Sequence, residues 1–125
     1  MPHGAVSISW NKDVATISVY GPFNLSGVEL ADKKIRQNIE KKGGKIWYRL
    51  DVLDANTLGC PDVMKVIGRS YLWSVNDATC HAVVVVCANG VQSSMMQKFI
   101  EHYKLPIKSF RSLEEAELYL DGVKL

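Results

Sequence analysis

Paired cysteines are missing from this chain of 125 residues. Its three cysteines, Cys60, Cys80 and Cys87, are an odd number without a C-x-x-C spacing. A disulfide framework and a zinc cluster are therefore not indicated, since both use cysteines at short, regular spacings. Cys80 and His81 are neighbours, and neighbours on a strand point to opposite faces, so they are not expected to share one ion. We expect free thiols in a cytoplasmic protein and no metal.

Long apolar runs are missing as well. The longest, AVVVVCA at 82–88, is far shorter than the ~20 residues that a transmembrane helix needs. The first ten residues, MPHGAVSISW, lack the basic start and the apolar stretch of a signal peptide. We therefore expect no membrane span and a cytoplasmic location.

Charge of one sign is not in large excess, and motifs for catalysis are absent. Fifteen basic residues oppose thirteen acidic ones, which gives a net charge of +2. Nucleic-acid-binding proteins concentrate basic residues on one face, so we do not expect nucleic acid as a partner. The chain contains no G-x-G-x-x-G, G-x-x-x-x-G-K-[ST] or G-x-S-x-G, the turns that hold phosphates or a catalytic serine. We predict neither an enzyme nor a bound cofactor.

The apolar periodicity that is present predicts an α/β domain. Alternating residues indicate strands at 6–10, 14–20, 45–53 and 106–110, and a continuous apolar run indicates a central strand at 80–88. Helical periodicity indicates helices at about 25–42, 61–75, 91–103 and 112–120. The order β-β-α-β-α-β-α-β-α predicts one domain over residues 1–125, with a mixed sheet that starts with a β-hairpin and continues with parallel strands.

Local signals refine two of these elements. Asn24 or Ser26 can cap the first helix, which we expect to end at Lys42, before the left-handed turn that Gly43 and Gly44 allow. In the third strand, KIWYRLDVL, one face is predicted to carry the apolar side chains Ile46, Tyr48, Leu50 and Val52.

The turn before the second helix is the first candidate site. Asp51, Asp54 and Asp62 could form a carboxylate cluster at the carboxyl end of a strand, where open α/β sheets bind ligands, and Asn56 stands in the same turn. Asp and Asn are also ordinary turn residues that bond their own backbone, and that interpretation is favoured.

Cys60 is the second candidate. It precedes Pro61, a favoured first helical residue, and a helix N-terminus favours the reactive thiolate form of cysteine. Asp62 opposes that charge. A nucleophilic or redox-sensing thiol is one interpretation, and a capping or buried cysteine is the favoured one.

The second helix also suggests a recognition surface. Its core face is predicted to consist of Val63, Met64, Ile67, Tyr71 and Val75. Val66 and Trp73 fall together on another face, where an exposed tryptophan would suit a protein partner or a second copy of the chain. Packing against a neighbouring helix is the alternative for both residues. A cavity for an apolar ligand would be lined by Met64, Met95, Met96, Phe99 and Tyr103.

Three segments carry a resemblance to a known family. VVVCA at 84–88, the following helix with Phe99, and IKSFRSLEEAELYL at 107–120 resemble parts of the STAS domain, the fold of bacterial anti-sigma-factor antagonists. The chain is similar to the SpoIIAA-like, or STAS/SEC14-like, group of small bacterial proteins. The resemblance implies a non-enzymatic regulatory module that binds a protein partner. A SEC14-like binder of a small apolar ligand or lipid is the alternative, followed by a redox regulator based on Cys60.

The resemblance weakens at the family's regulatory motif. The antagonists open the second helix with D-S-[ST]-G, and a kinase phosphorylates the second hydroxyl residue. Without gaps, Gly59, Cys60 and Pro61 fall on those positions, and Pro61 cannot accept a phosphate. Only a shift of several residues would bring Thr57, followed by Leu58 and Gly59, into the phosphoacceptor position. We therefore expect that the usual phosphorylation does not control this chain.

Overall fold

The computed structural model describes residues 1–57 and 59–124. Within them the chain forms five strands and four helices, and the α/β class with its leading hairpin is confirmed. The elements are β1 (Ala5–Asn11), β2 (Val14–Tyr20), α1 (Leu25–Glu40), β3 (Trp47–Leu53), α2 (Pro61–Asp77), β4 (Cys80–Val86), α3 (Gly90–Tyr103), β5 (Ile107–Phe110) and α4 (Leu113–Lys124).

The five strands form one mixed sheet in the order β1-β2-β3-β4-β5. β1 and β2 are antiparallel, joined by a tight turn in which Lys12 adopts a left-handed conformation, and the other pairs are parallel. Each parallel pair needs a crossover, supplied by α1, α2 and α3 in turn. Buried residues of α1, α2 and α3 belong to one core cluster, so the three helices lie on one face of the sheet, as right-handed crossovers between strands added in one direction require. α4 follows the last strand and packs near β3, β4 and β5.

Both faces of β3 are covered, which differs from the predicted alternation. The strand begins at Trp47, and Ile46 lies outside it and is exposed. Tyr48 and Leu50 pack with residues of α4, as one apolar face of the strand predicts. The opposite face, with Arg49 and Asp51, is also buried. Two charged side chains made that face look like a solvent face in the sequence.

Local capping explains the ends of α1. Asn24 is the N-cap, and its Oδ1 accepts a hydrogen bond from the Gly27 N–H at 2.8 Å. The helix ends at Glu40, two residues before the predicted end at Lys42. The Lys42 and Gly43 N–H groups each bond a carbonyl three residues back, which tightens the last turn and ends the regular helix early.

None of the helices in residues 1–57 and 59–124 combines the length and the apolar character needed to cross a membrane.

Candidate functional site

Asp54 organises the turn between β3 and α2. Its Oδ1 accepts hydrogen bonds from the Asn56 N–H at 3.1 Å, the Thr57 hydroxyl at 2.8 Å and the Gly21 N–H at 3.1 Å. Its backbone carbonyl accepts a bond from the Gln92 side-chain amide at 2.6 Å. The turn is thereby tied to the end of β2 and to the first turn of α3. These bonds show that Asp54 and Asn56 are ordinary turn residues, as the favoured interpretation of the sequence predicts.

Gly21 allows the turn to lie this close to β2. A Cβ atom at this position would lie 2.3 Å from the carbonyl oxygen of Asn56, well inside van der Waals contact. The Gly21 N–H can therefore reach the Asp54 carboxylate only because the residue has no side chain.

The hydrogen bonds of Asp54 set its ionisation. Partial burial opposes the charged form, but the bonds from Thr57, Gly21 and Asn56 outweigh it and lower the pKa of Asp54 below its ordinary value. The carboxylate is therefore ionised at neutral pH.

Thr57 lies inside the protein, with 1% of its surface exposed. Its hydroxyl is within hydrogen-bond distance of Asp54 Oδ1 and of the Val19 carbonyl oxygen at 3.2 Å. A phosphate on this oxygen would bring negative charge next to the Asp54 carboxylate, so the turn would have to open first. Leu58, which belongs to the same candidate motif, lies outside the described residues.

Cys60 is the N-cap residue of α2 and is exposed, and its side chain makes no capping hydrogen bond. Of the four candidate residues of this turn, Asp54, Asn56 and Thr57 are joined by hydrogen bonds, and Cys60 takes no part in them. Cys80 and Cys87 are buried. Burial raises the pKa of the Cys80 thiol to about 11 and also raises the pKa of Cys87.

Val66 and Trp73 do not form an exposed patch, so that prediction is wrong. Val66 is 5% exposed and packs with Val28 of α1 and with Val63. Trp73 is half-buried against the core, with the guanidinium of Arg36 4.8 Å from its ring centre. The alternative packing against the neighbouring helix α1 is what the structure shows.

The buried face of α2 differs from the predicted one. It includes two serines, which a hydropathy pattern does not assign to a core face. Its buried residues are Val63, Val66, Gly68, Ser70, Tyr71 and Ser74. Two serines read as solvent-facing in a hydropathy pattern, yet they point toward β3. Both serine hydroxyls face a buried positive charge on β3, whose burial the apolar alternation of that strand does not predict.

That charge is Arg49, which sequence analysis missed. Its Nε and Nη2 donate to the two carboxylate oxygens of Asp51 at 2.8 and 3.1 Å, and its Nη1 donates to the hydroxyls of Ser70 and Ser74 at 2.9 and 2.8 Å. The ring of Tyr71 lies 4.7 Å from the guanidinium carbon. The i, i+2 spacing of Arg and Asp on one strand face was the available signal, combined with serines four residues apart on the next helix.

Arg49 stays positively charged in spite of its burial. Burial opposes the positive charge of Arg49, but the neighbouring Asp51 carboxylate outweighs it, and the pKa of Arg49 is raised. Burial, together with Asp51, raises the pKa of Tyr71 well above its ordinary value.

A cavity adjoins the Arg49 network between α1, α2 and the sheet. Its volume of about 40 Å³ is far below the ~300 Å³ of a typical small-molecule site. The hydrogen bonds of Arg49 therefore hold α2 against β3 and do not form a ligand site.

A larger space lies at the surface between α2 and α3. This α2–α3 groove has a volume of about 410 Å³. It is lined by Met64, Lys65, Gly68, Arg69, Leu72, Phe99, Tyr103 and Leu105. Of the five residues predicted to line an apolar cavity, Met64, Phe99 and Tyr103 are present here. Met96 is fully buried in the core and Met95 is exposed.

Within residues 1–57 and 59–124 no three His, Cys, Asp or Glu side chains stand together as a group able to hold a metal ion. Neither a scan against protein-family models nor a search of curated proteins returned a match for this chain.

Proposed function

We propose that this chain is a non-enzymatic, STAS-like binding module that regulates a bacterial pathway in the cytoplasm by recognising a protein partner through the α2–α3 groove. The order of elements from β1 to α4 supports the STAS-like part of the proposal. Three free cysteines suit a reducing compartment. The groove is the observation on which the binding role rests.

The groove has the features of a recognition surface. It is mostly apolar, it lies between two helices of one face of the sheet, and Lys65 and Arg69 stand exposed along it. Grooves of this kind accept the apolar side of an amphipathic helix, with anchors three or four residues apart. The exposed face of α2 extends the surface toward the ~800 Å² per partner that a stable complex buries.

Regulation of this module would not use the family's usual phosphorylation. Pro61 occupies the phosphoacceptor position without gaps, and the hydroxyl of Thr57, the other candidate, is enclosed by Asp54 and Val19. Binding in the groove does not depend on charge added at either residue.

Capture of the partner from cells with paired variants tests the proposal. Tyr103 is 44% exposed in the groove, and Leu118 is 71% exposed on α4. Tyr103→Glu and Leu118→Glu each add one negative charge in place of an exposed apolar group. We expect that wild type and Leu118→Glu retain the same partner and that Tyr103→Glu loses it. Retention by Tyr103→Glu would contradict the proposal.

A second candidate function is favoured by the size of the groove. Its volume of about 410 Å³ lies within the ~300–1,000 Å³ range of small-molecule sites. Met64, Leu72 and Phe99 give it an apolar wall, in which the unbranched side chain of Met64 is the adaptable part. The SEC14-like alternative, a binder of a small apolar ligand or lipid, would use this groove. Co-purification of an apolar molecule, detected by native mass spectrometry and lost in Tyr103→Glu, would support it.

A further inference from the structure

The floor of the α2–α3 groove is kept open by Gly68. This glycine is buried within α2, and a Cβ atom there would lie 3.1 Å from Cζ of Phe99. The ring of Phe99 is itself 8% exposed and packs in the core cluster, so it has little freedom to move away. Above Gly68 and Phe99, the apolar side chains of Met64, Leu72 and Leu105 line the groove.

The charge of the groove has one sign. Lys65 and Arg69 are the charged residues among those that line it, and both are cations. They are four residues apart on α2, so they stand one turn apart on the same side of the helix. Both are exposed, and neither forms an ion pair within the part of the chain that the structure describes. An apolar groove with two unpaired, positively charged side chains along one helix is complementary to a molecule with an apolar tail and an anionic head.

We infer that the α2–α3 groove binds a single-chain amphiphile with an anionic head, of the class of medium- and long-chain carboxylates. The tail would lie over Gly68 against Phe99, and the head would lie beside Lys65 and Arg69. The inference rests on the second candidate function, the binding of a small apolar ligand in the groove, and adds the chemical class of that ligand.

Three twelve-carbon probes that differ only in the head test the class. Dodecanoate is anionic, dodecanol neutral and dodecylammonium cationic. Dodecanoate and dodecylammonium are titrated below their critical micelle concentrations, and dodecanol below its aqueous solubility, into the ¹⁵N-labelled full chain, and affinity and location are measured from amide chemical-shift changes. We expect shifts at Gly68 and Leu105 and not along α4. Dodecanoate should bind about three- to tenfold more tightly than dodecanol, since two exposed charge pairs each contribute a few-fold, and dodecylammonium should bind most weakly.

Tail length provides an independent reading. Each methylene buried in an apolar site contributes about a fourfold gain in affinity. Dodecanoate should therefore bind at least ~10-fold more tightly than octanoate even if only part of the added chain is buried. Equal affinities for the two would overturn the inference, because the tail would then lie outside the groove.

A matched pair of variants assigns the head. Lys65→Gln with Arg69→Gln removes two positive charges from the groove, and Lys33→Gln with Lys34→Gln removes two exposed charges from α1. The first variant should bind dodecanoate and dodecanol equally, and the second should keep the wild-type preference. Equal loss in both variants would overturn the inference, since it would reflect net charge alone.

The outcomes separate the inference from the proposed function. If dodecanol and dodecanoate bind equally to wild type and both shift the groove residues, the anionic class is wrong and the groove remains an apolar ligand site. If no probe shifts the groove residues, the inference and the small-ligand function both fail. The protein-partner proposal is then decided by the capture experiment with Tyr103→Glu.

Discussion

Arg49 and Asp51, two residues apart on β3, form a bidentate ion pair, and both side chains are almost completely buried. The N–O distances are 2.8 and 3.1 Å, and the exposed fractions of the side chains are 2% and 3%. Ser70 and Ser74 of α2 complete the hydrogen bonding of the guanidinium. The pair therefore links the central strand to the helix that bounds the α2–α3 groove.

Removal of one member of this pair should be far more costly than removal of both. Arg49→Met or Asp51→Leu alone leaves an uncompensated buried charge, which typically costs about 3–5 kcal/mol. The double variant replaces the pair by apolar groups and should lose less stability than either single variant. Urea unfolding of the four proteins measures the coupling. Additive losses would show that the two side chains do not stabilise each other.

The turn before α2 should weaken in acid. The folded-state pKa of Asp54 is lowered, so its ionised form stabilises the fold above the unfolded pKa of about 3.9 and that contribution is lost as pH falls through the lower folded value. Asp54→Asn should reduce the free energy of unfolding by about 1–3 kcal/mol at neutral pH. The difference from wild type should shrink below about pH 4.

Glu29→Gln, at an exposed position of α1, is the control for loss of a carboxylate. Urea unfolding between pH 7 and pH 3 is the measurement. A difference between wild type and Asp54→Asn that stays constant with pH would show that the charge of Asp54 makes no contribution.

Val66 should behave as a core residue. Because it is 5% exposed against Val28 and Val63, Val66→Ala removes two buried methyl groups and should cost about 1–3 kcal/mol. Val91→Ala, at a position 73% exposed on α3, should change stability by less than about 0.5 kcal/mol. Thermal unfolding of both variants provides the comparison. Wild-type stability of Val66→Ala together with altered association would restore the interface hypothesis.

Thiol titration should distinguish Cys60 from the other two cysteines. Cys60 is exposed, whereas Cys80 and Cys87 are buried with raised pKa values. A disulfide reagent at neutral pH should therefore label one thiol per folded chain and three in denaturant. Cys60→Ser should abolish the native labelling, and Cys80→Ser should leave it unchanged. Slow labelling of Cys60 relative to a free thiol would remove the redox hypothesis.

Local signals along the chain were enough for the α/β class, the hairpin and most element boundaries. Asn24 caps α1 and Pro61 opens α2 because these signals act within one helical turn. The continuous apolar run of β4 predicted a strand covered on both sides, and Val83 to Val86 are all buried. Each of these features depends on residues within a few positions of one another, so it can be predicted from the local sequence.

Burial of polar groups, by contrast, was decided by residues distant in sequence. Arg49 is buried because Ser70 and Ser74, more than twenty positions away, face it and hydrogen-bond to it; the spacing of these residues in the sequence is compatible with a network but does not indicate which helix face meets the strand. Val66 lost its predicted exposure because α1 packs beside it, and Thr57 became inaccessible because the turn bonds to β2. The groove arises from the spacing of α2 and α3 around Gly68 and Phe99. The sequence by itself determined which segments become strands and helices, and only tertiary packing decided which side chains could meet a ligand, because exposure depends on what lies opposite.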